Sequence, residues 1–125
     1  MLRLIPLLLV LLCVPAVAEA QQNIPVPLPP VEYDKPFTGK LTIVHVDRRA
    51  VTGRCHSFIE VYACAFRPNP RNCLVVMPKK GTYSDASMAR LLRHEVGHCN
   101  GWAAHHPNAR WKNGRQGNRP RAVRR

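Results

Sequence analysis

Residues 84–101 read SDASMARLLRHEVGHCNG, and this stretch decides the fold. Its large apolar residues are Met88, Leu91, Leu92 and Val96. They recur at helical spacing, which predicts one amphipathic helix. Ser84 or Asp85 can cap the first turn, because their side chains accept from free backbone N–H groups. Asn100 and Gly101 predict the end of the helix, since both residue types tolerate a left-handed backbone.

The helix carries an H-E-x-x-H motif at residues 94–98. His94 and His98 are four residues apart, so they lie one above the other on a helix face and can point at one ion. Glu95 can then reach a water on that ion and take its proton. The motif predicts Zn²⁺ held by His94 and His98, with Glu95 as the catalytic base.

A catalytic zinc needs a third protein ligand. No Asp or Glu follows Glu95, which excludes a later carboxylate. His105 and His106 come just beyond the end of the helix, where a Gly lets the chain fold back. We expect His105 to be the third metal ligand and His106 to be the next candidate. The upstream His45 and His56 remain alternatives.

At this point residues 94–105, HEVGHCNGWAAH, resemble the metzincin-like zinc metallopeptidases, whose pattern is H-E-x-x-H-x-x-G-x-x-H. Both helical histidines, Glu95 and Gly101 match in spacing. Ala104 stands where that family has its third His, and no Met follows the helix. The run HEVGHCNGW is also similar to a group of small exported bacterial proteins. These resemblances imply a zincin-like fold and a metallopeptidase activity.

Three stretches before the helix predict strands. Residues 41–46, 58–66 and 73–77 are rich in β-branched and aromatic residues. Residues 67–72 contain two Pro and two Asn and predict the turn of a hairpin. The expected fold class is α+β, with a small antiparallel sheet whose hairpin packs on the one metal-binding helix. We expect residues 74–77 to offer an edge to an extended peptide, and Tyr62 or Tyr83 to stabilise an oxyanion.

The beginning of the chain indicates export. Arg3 precedes an apolar run at residues 4–14, and small-x-small patterns end at Ala18 and Ala20. Residues 1–20 therefore predict a signal peptide, and the apolar run is too short for a membrane span. The expected location is periplasmic or extracellular. Residues 21–39 are Pro-rich and predict a linker, or a strap over the surface of a domain at residues 40–107.

Cleavage of the signal peptide would remove Cys13 and leave Cys55, Cys64, Cys73 and Cys99. Four cysteines in a small exported chain predict two disulfides, for which three pairings exist. Cys64 and Cys73 flank the hairpin turn, so we expect Cys64–Cys73 and Cys55–Cys99. A core this small usually needs such crosslinks or a metal.

The net charge of +12 results from 19 Lys and Arg against 7 Asp and Glu. Much of the excess lies in residues 108–125, which predict a disordered basic tail. The first functional hypothesis is a small exported zinc metallopeptidase acting on a peptide, protein or cell-wall substrate. The alternative is a non-catalytic, zinc-stabilised binding protein whose tail binds an anionic surface or polymer. Export argues against nucleic acid as the partner.

Overall fold

The computed structural model describes residues 22–111. The predicted signal peptide and residues 112–125 of the predicted tail lie outside this part. Five elements follow one another: β1 (Lys40–Val46), α1 (Arg48–Arg54), β2 (Cys64–Asn69), β3 (Asn72–Pro78) and α2 (Asp85–Cys99). The predicted α+β class is confirmed. Within residues 22–111, no helix combines the length and apolarity needed to cross a bilayer.

The three strands form a mixed sheet in the order β1-β3-β2. Strands β2 and β3 pair antiparallel as the predicted hairpin, but β1 pairs parallel to β3. The prediction of a purely antiparallel sheet is therefore wrong. Helix α1 lies between β1 and the hairpin, and such a crossover lets two strands run in the same direction. Because β3 is the central strand, residues 74–77 offer no free edge, in contrast to the prediction.

The core lies between β3 and α2. Along β3, alternate side chains face the helix, as the two-residue period of a strand requires. The buried cluster at this face includes Cys73, Val75, Met77, Leu91 and Cys99. Helix α1 also contacts β3, and Val51 and Val76 are buried outside that cluster. Helix α2 is thus fixed to the sheet along its apolar face.

The Pro-rich segment before β1 packs on the domain. Ile24 and Val26 are buried in the same core cluster. Leu28 and Arg110 exchange backbone hydrogen bonds of 2.8 and 2.9 Å. Ala109 is also buried, at 2 % exposure. The packed unit therefore extends past residues 40–107 at both ends, and residues 24–34 form a strap across it.

The disulfides differ from the predicted pairing. The bonded pairs are Cys55–Cys64 and Cys73–Cys99, with Cα–Cα distances of 5.9 and 5.7 Å. The predicted pairs Cys64–Cys73 and Cys55–Cys99 are therefore wrong. The physical reason is the register of the hairpin. Cys64 lies opposite Val76, three residues along β3 from Cys73. Three strand residues span about 10 Å, which exceeds the Cα separation of about 7 Å that a disulfide can bridge.

Helix α2 begins and ends as predicted. Ser84 caps it by accepting a backbone N–H of the first turn at 3.2 Å. At the other end, Gly101 has a φ of +103°. Its N–H donates to the His98 carbonyl, and the Trp102 N–H donates to the Gly97 carbonyl, both at 3.0 Å. This pair of bonds is a Schellman motif, which turns the chain back toward the helix.

Candidate metal centre

The candidate metal centre contains two histidines of helix α2. His94 and His98 lie one turn apart near the end of α2, and their Nε2 atoms are 3.2 Å apart. The Cys73–Cys99 disulfide fixes the helix to β3 one residue beyond His98. The sequence-predicted pair is therefore brought together by helical spacing and anchored to the sheet.

The third histidine is His106. Its Nε2 lies 3.1 Å from that of His98 and 3.0 Å from that of His94. His106 has a φ of +56°, a left-handed conformation in which the chain reverses within the loop after α2. The prediction of His105 is wrong, because the group of three contains His106 instead. The offset from the metzincin spacing is thus two residues.

The remaining histidines lie apart from this group. His105 is exposed and lines the neighbouring cleft. His45 is exposed on β1, and His56 is exposed after α1, where its ring contacts Phe66. Within residues 22–111, one group of potential metal ligands is found: His94, His98 and His106. Their ligand atoms all lie within 4.8 Å of one another.

Trp102 holds the loop to the helix. Its ring stacks on that of His98 with centroids 4.8 Å apart and an interplanar angle of 12°. The same ring contacts His94 and His106 at centroid distances of 5.0 and 4.9 Å. Its Nε1–H donates to the Pro107 carbonyl at 2.9 Å. Trp102 was not among the predicted site residues, although it directly follows the helix-ending Gly101.

Backbone carbonyls fix the tautomers of both helical histidines. Nδ1 of His94 lies 2.8 Å from the Pro27 carbonyl oxygen, and Nδ1 of His98 lies 2.8 Å from that of Trp102. A carbonyl oxygen only accepts, so each Nδ1 carries the proton and donates it. Each Nε2 then has a free lone pair directed at the cluster centre, which is the form that binds a metal.

The Pro27 contact depends on a close approach between the strap and α2. A Cβ added to Gly97 would lie 2.7 Å from Cβ of Pro29 and 2.8 Å from its Cγ. Those distances are shorter than real Cβ contacts, so any larger residue at position 97 would push the strap away. The variable position inside H-E-x-x-H is therefore restricted in this chain by packing.

The electrostatics keep the three rings neutral. The pKa of His94 is lowered to about 4, mainly by burial; the hydrogen bond to Pro27 opposes the shift, and the nearby His98, His106 and Arg90 add to it. Burial likewise lowers the pKa of His98 and of His106. Neutral imidazole is the ligand form of His, so the cluster is ready to coordinate near pH 7.

The spacing of the three nitrogens fits a metal ion. Zn–N bonds of 2.0–2.1 Å in a tetrahedral site place nitrogen ligands about 3.3 Å apart. The observed separations of 3.0–3.2 Å are within a few tenths of an ångström of that value. Because Nδ1 carries the proton in both His94 and His98, their two Nε2 lone pairs lie 3.2 Å apart and would repel each other unless a cation lay between them. His94, His98 and His106 could therefore hold a metal ion.

Glu95 lies on the same turn of helix as His94 and is 4 % exposed. Its side chain lines the cleft that the three histidines also line. Burial, with no compensating hydrogen bond or cation among the described residues, raises the pKa of Glu95 to about 8. A cation at the histidines would oppose this shift and favour the carboxylate. Glu95 is thus an unpaired acid–base group beside the candidate metal position.

The cleft has a volume of about 680 Å³. Apolar side chains make up most of its walls: Pro25, Val26, Val61, Ala63, Leu91, Trp102 and Trp111. Although the chain is strongly basic, no Lys or Arg of residues 22–111 lines the cleft; its charged lining residues are Glu60 and Glu95. The cleft therefore fits an apolar or uncharged ligand next to the histidine cluster.

Arg48 holds one wall of the cleft. It donates to the Glu60 carboxylate and, at 3.2 Å, to the Val61 carbonyl oxygen. It also donates to the Tyr83 hydroxyl, and its guanidinium lies 5.4 Å from the centre of the Tyr62 ring. Tyr83 is buried and does not line the cleft, whereas Tyr62 lines it and is 38 % exposed. Of the two candidate oxyanion donors, only Tyr62 reaches the cleft.

No protein-family model, curated protein or solved structure matches this chain.

Proposed function

We propose that this protein is a small exported zinc-dependent hydrolase that cleaves peptide or amide bonds. The observation that carries the proposal is one triangle of three Nε2 atoms with an unpaired buried carboxylate beside it. Structural zinc sites are usually closed by four protein ligands, whereas catalytic sites keep a position open. Among the described residues three ligands converge here, and Glu95 lines the same cleft as all three histidines.

Zinc is the ion that this donor set suits best. Three neutral imidazoles are a known ligand set for catalytic zinc, and harder ions such as Mg²⁺ prefer oxygen ligands. When bound, zinc acidifies a water molecule and polarises a carbonyl as a Lewis acid. The Nδ1–H bonds to Pro27 and Trp102 would keep His94 and His98 oriented throughout turnover.

Glu95 is the proposed proton carrier. Its carboxylate can take a proton from the attacking water and pass it to the leaving amine. A hydrogen bond or ion pair to another protein group would compete with that role, and none is formed within residues 22–111. Burial of Glu95 also removes bulk water, which would otherwise weaken its interaction with the reacting groups.

An extended peptide is the substrate shape that the cleft accommodates. Strand β2 is an edge strand, and its first residues, Cys64 and Ala65, line the cleft together with the preceding Ala63. A free edge can pair with an added strand through main-chain hydrogen bonds. We propose that this edge, and not residues 74–77, pairs with the extended peptide. Tyr62 is then placed to donate to an oxyanion.

Kinship with the metzincin-like metallopeptidases belongs to the same proposal. It is supported by the H-E-x-x-H helix, by Gly101 in its Schellman motif and by a third His that follows. It rests on the short motif alone, because the position of His106 departs from that family. The disulfides and the lack of a membrane-crossing helix in residues 22–111 are compatible with the proposed export.

The test compares two carboxylate changes. Wild-type protein should bind one zinc and cleave members of a peptide or cell-wall library. Glu95→Gln should keep zinc but lose activity by about 10²–10⁴-fold, the usual contribution of a general base. Glu32→Gln is the matched control, because Glu32 is exposed on the strap. Equal activity of wild type and Glu95→Gln would contradict the proposal.

The alternative, a non-catalytic zinc-stabilised binding protein, is favoured by the net charge of +12. It predicts salt-sensitive binding to an anionic polymer that disappears when residues 112–125 are removed. This truncation spares Arg110, which is bonded to Asp34. A zinc-loaded protein that binds in this way and cleaves nothing would support the alternative over the hydrolase.

A further inference from the structure

A disulfide-closed loop projects next to the cleft. Residues 55–63 join α1 to β2, and the Cys55–Cys64 bond closes the loop at its base. Inside the loop, the Ser57 hydroxyl donates to the Ile59 carbonyl at 2.7 Å and accepts from the Ile59 N–H at 3.2 Å. These bonds hold the tip of the loop in one conformation.

The tip carries two consecutive bulky apolar side chains in solvent. Phe58 is fully exposed and Ile59 is 73 % exposed. Apolar residues that are exposed singly are ordinary, whereas contiguous exposed apolar patches are typical of interaction sites. Both side chains lie in solvent within the loop that the Cys55–Cys64 bond closes.

We propose that Phe58 and Ile59 insert into an anionic lipid surface and dock the protein on a membrane. The charges around the tip fit such a surface. Arg49 and Arg54 are exposed on the helix that leads into the loop, and Glu60, the acid beside the tip, is bound to Arg48. The chain as a whole carries a net charge of +12. Apolar insertion and attraction to anionic headgroups together bind peripheral proteins to membranes.

The size of the tip favours lipid over a second protein molecule. A stable protein interface buries about 800 Å² on each partner. Two side chains of this size bury on the order of 400 Å² at most. A bilayer accepts a convex tip without such a threshold, because insertion requires only that the apolar side chains leave water.

Docking by the tip would place the cleft at the membrane. Glu60, Val61 and Tyr62 follow Ile59 directly and line the cleft. Three residues span at most about 10 Å, so the wall of the cleft would lie at the depth of the lipid headgroups. The ligand of the cleft would then be a segment that lies close to the lipid surface.

The test uses co-sedimentation of the purified chain with phosphatidylcholine vesicles, with and without phosphatidylglycerol. The wild type should bind the anionic vesicles more strongly. The double variant Phe58→Ser/Ile59→Ser should weaken that binding at least about tenfold, since both apolar side chains are lost. Val31→Ser is the matched control, because Val31 on the strap has the same exposed fraction as Ile59, 73 %. It should bind like wild type.

Insertion itself has a direct readout. Brominated lipid in anionic vesicles should quench the indole fluorescence of Phe58→Trp more than that of the wild type, whose Trp102 and Trp111 give the baseline. Unchanged vesicle binding of the double Ser variant, or no quenching beyond this baseline in the Phe58→Trp protein, would overturn the proposal and assign any binding to the basic tail. Dimerisation without vesicles that the double Ser variant abolishes would overturn it in favour of a second copy of the chain.

Discussion

The helix and the loop of the metal cluster are held in place by different means. His94 and His98 take their spacing from the backbone hydrogen bonds of α2, which a disulfide anchors to the sheet. His106 lies in a loop with a left-handed backbone and depends on its contact with Trp102. The difference shows that helical ligands follow from local sequence, whereas a loop ligand is selected by tertiary contacts.

The largest expected effect is on the anchoring of the helix. Cys73→Ser/Cys99→Ser should lower the free energy of unfolding by about 3–4 kcal/mol, because the crosslink spans 26 residues. Both sulfurs belong to buried residues, so the introduced hydroxyls add a cost. Urea denaturation measures the change.

The matched variant is Cys55→Ser/Cys64→Ser, whose crosslink spans only 9 residues. It should cost less, about 2–3 kcal/mol. A larger loss from this pair than from the first would show that α2 does not depend on its tie to β3.

Gly97→Ala tests the contact between α2 and the strap. Alanine favours a helix, but here its Cβ would lie 2.7 Å from Pro29. We expect a net loss of about 1–3 kcal/mol in unfolding free energy, as for other overpacked sites. Zinc affinity should fall as well, because the strap supplies the carbonyl that orients His94.

Gly53→Ala is the control for this change. Gly53 lies in α1, and no atom lies within 4 Å of an added Cβ. The substitution should stabilise the protein by roughly 0.5–1 kcal/mol. If thermal unfolding showed the same sign for both variants, the proposed restriction at position 97 would be wrong.

Trp102→Phe tests the loop half of the cluster. The variant keeps an aromatic ring but loses the N–H bond to the Pro107 carbonyl, which positions the turn beside His106. We expect zinc affinity to fall about tenfold, while the helix content by circular dichroism stays unchanged. Competition with a chromophoric chelator measures the affinity. Trp111→Phe, a change in an exposed cleft residue, should leave it unaltered.

The smallest expected effect is the loss of stability when Asp34 is replaced. Asp34 forms ion pairs with Arg93 of α2 and with Arg110 in the segment after the loop. Its hydrogen bond to Arg93, together with Arg110, lowers the pKa of Asp34 below its usual value, although burial opposes the shift. A lowered pKa means that the stabilisation is present at neutral pH and is lost as the pH falls through the folded pKa, below about pH 4. Asp34→Asn should cost about 1 kcal/mol at pH 7.

The pH profile distinguishes this tie from a general loss of packing. Wild type and Asp34→Asn should converge in stability between pH 4 and pH 2, as the wild-type carboxylate becomes protonated. A difference in unfolding free energy that persists unchanged at pH 2 would argue against the ion pairs as its cause.

The sequence predicted the helical ligands correctly, but not the ligand in the loop. The period of the apolar residues, the Ser84 cap and Gly101 sufficed to place α2 and its two histidines. His106 could not be chosen over His105, because its left-handed φ and the Trp102 contact are set by packing. The predicted disulfide pairing was wrong for a similar reason, since the hairpin register separates Cys64 from Cys73. Helix α1 was missed because only Val51 of its residues is buried.

The most direct test of the central claim is the zinc content of His106→Ala and His105→Ala beside that of the wild type. Neighbouring residues of the same type make the two variants a matched pair. His105→Ala should retain about one zinc per chain, and His106→Ala should lose it after dialysis. Zinc retained in His106→Ala and lost in His105→Ala would contradict the three-histidine centre described above.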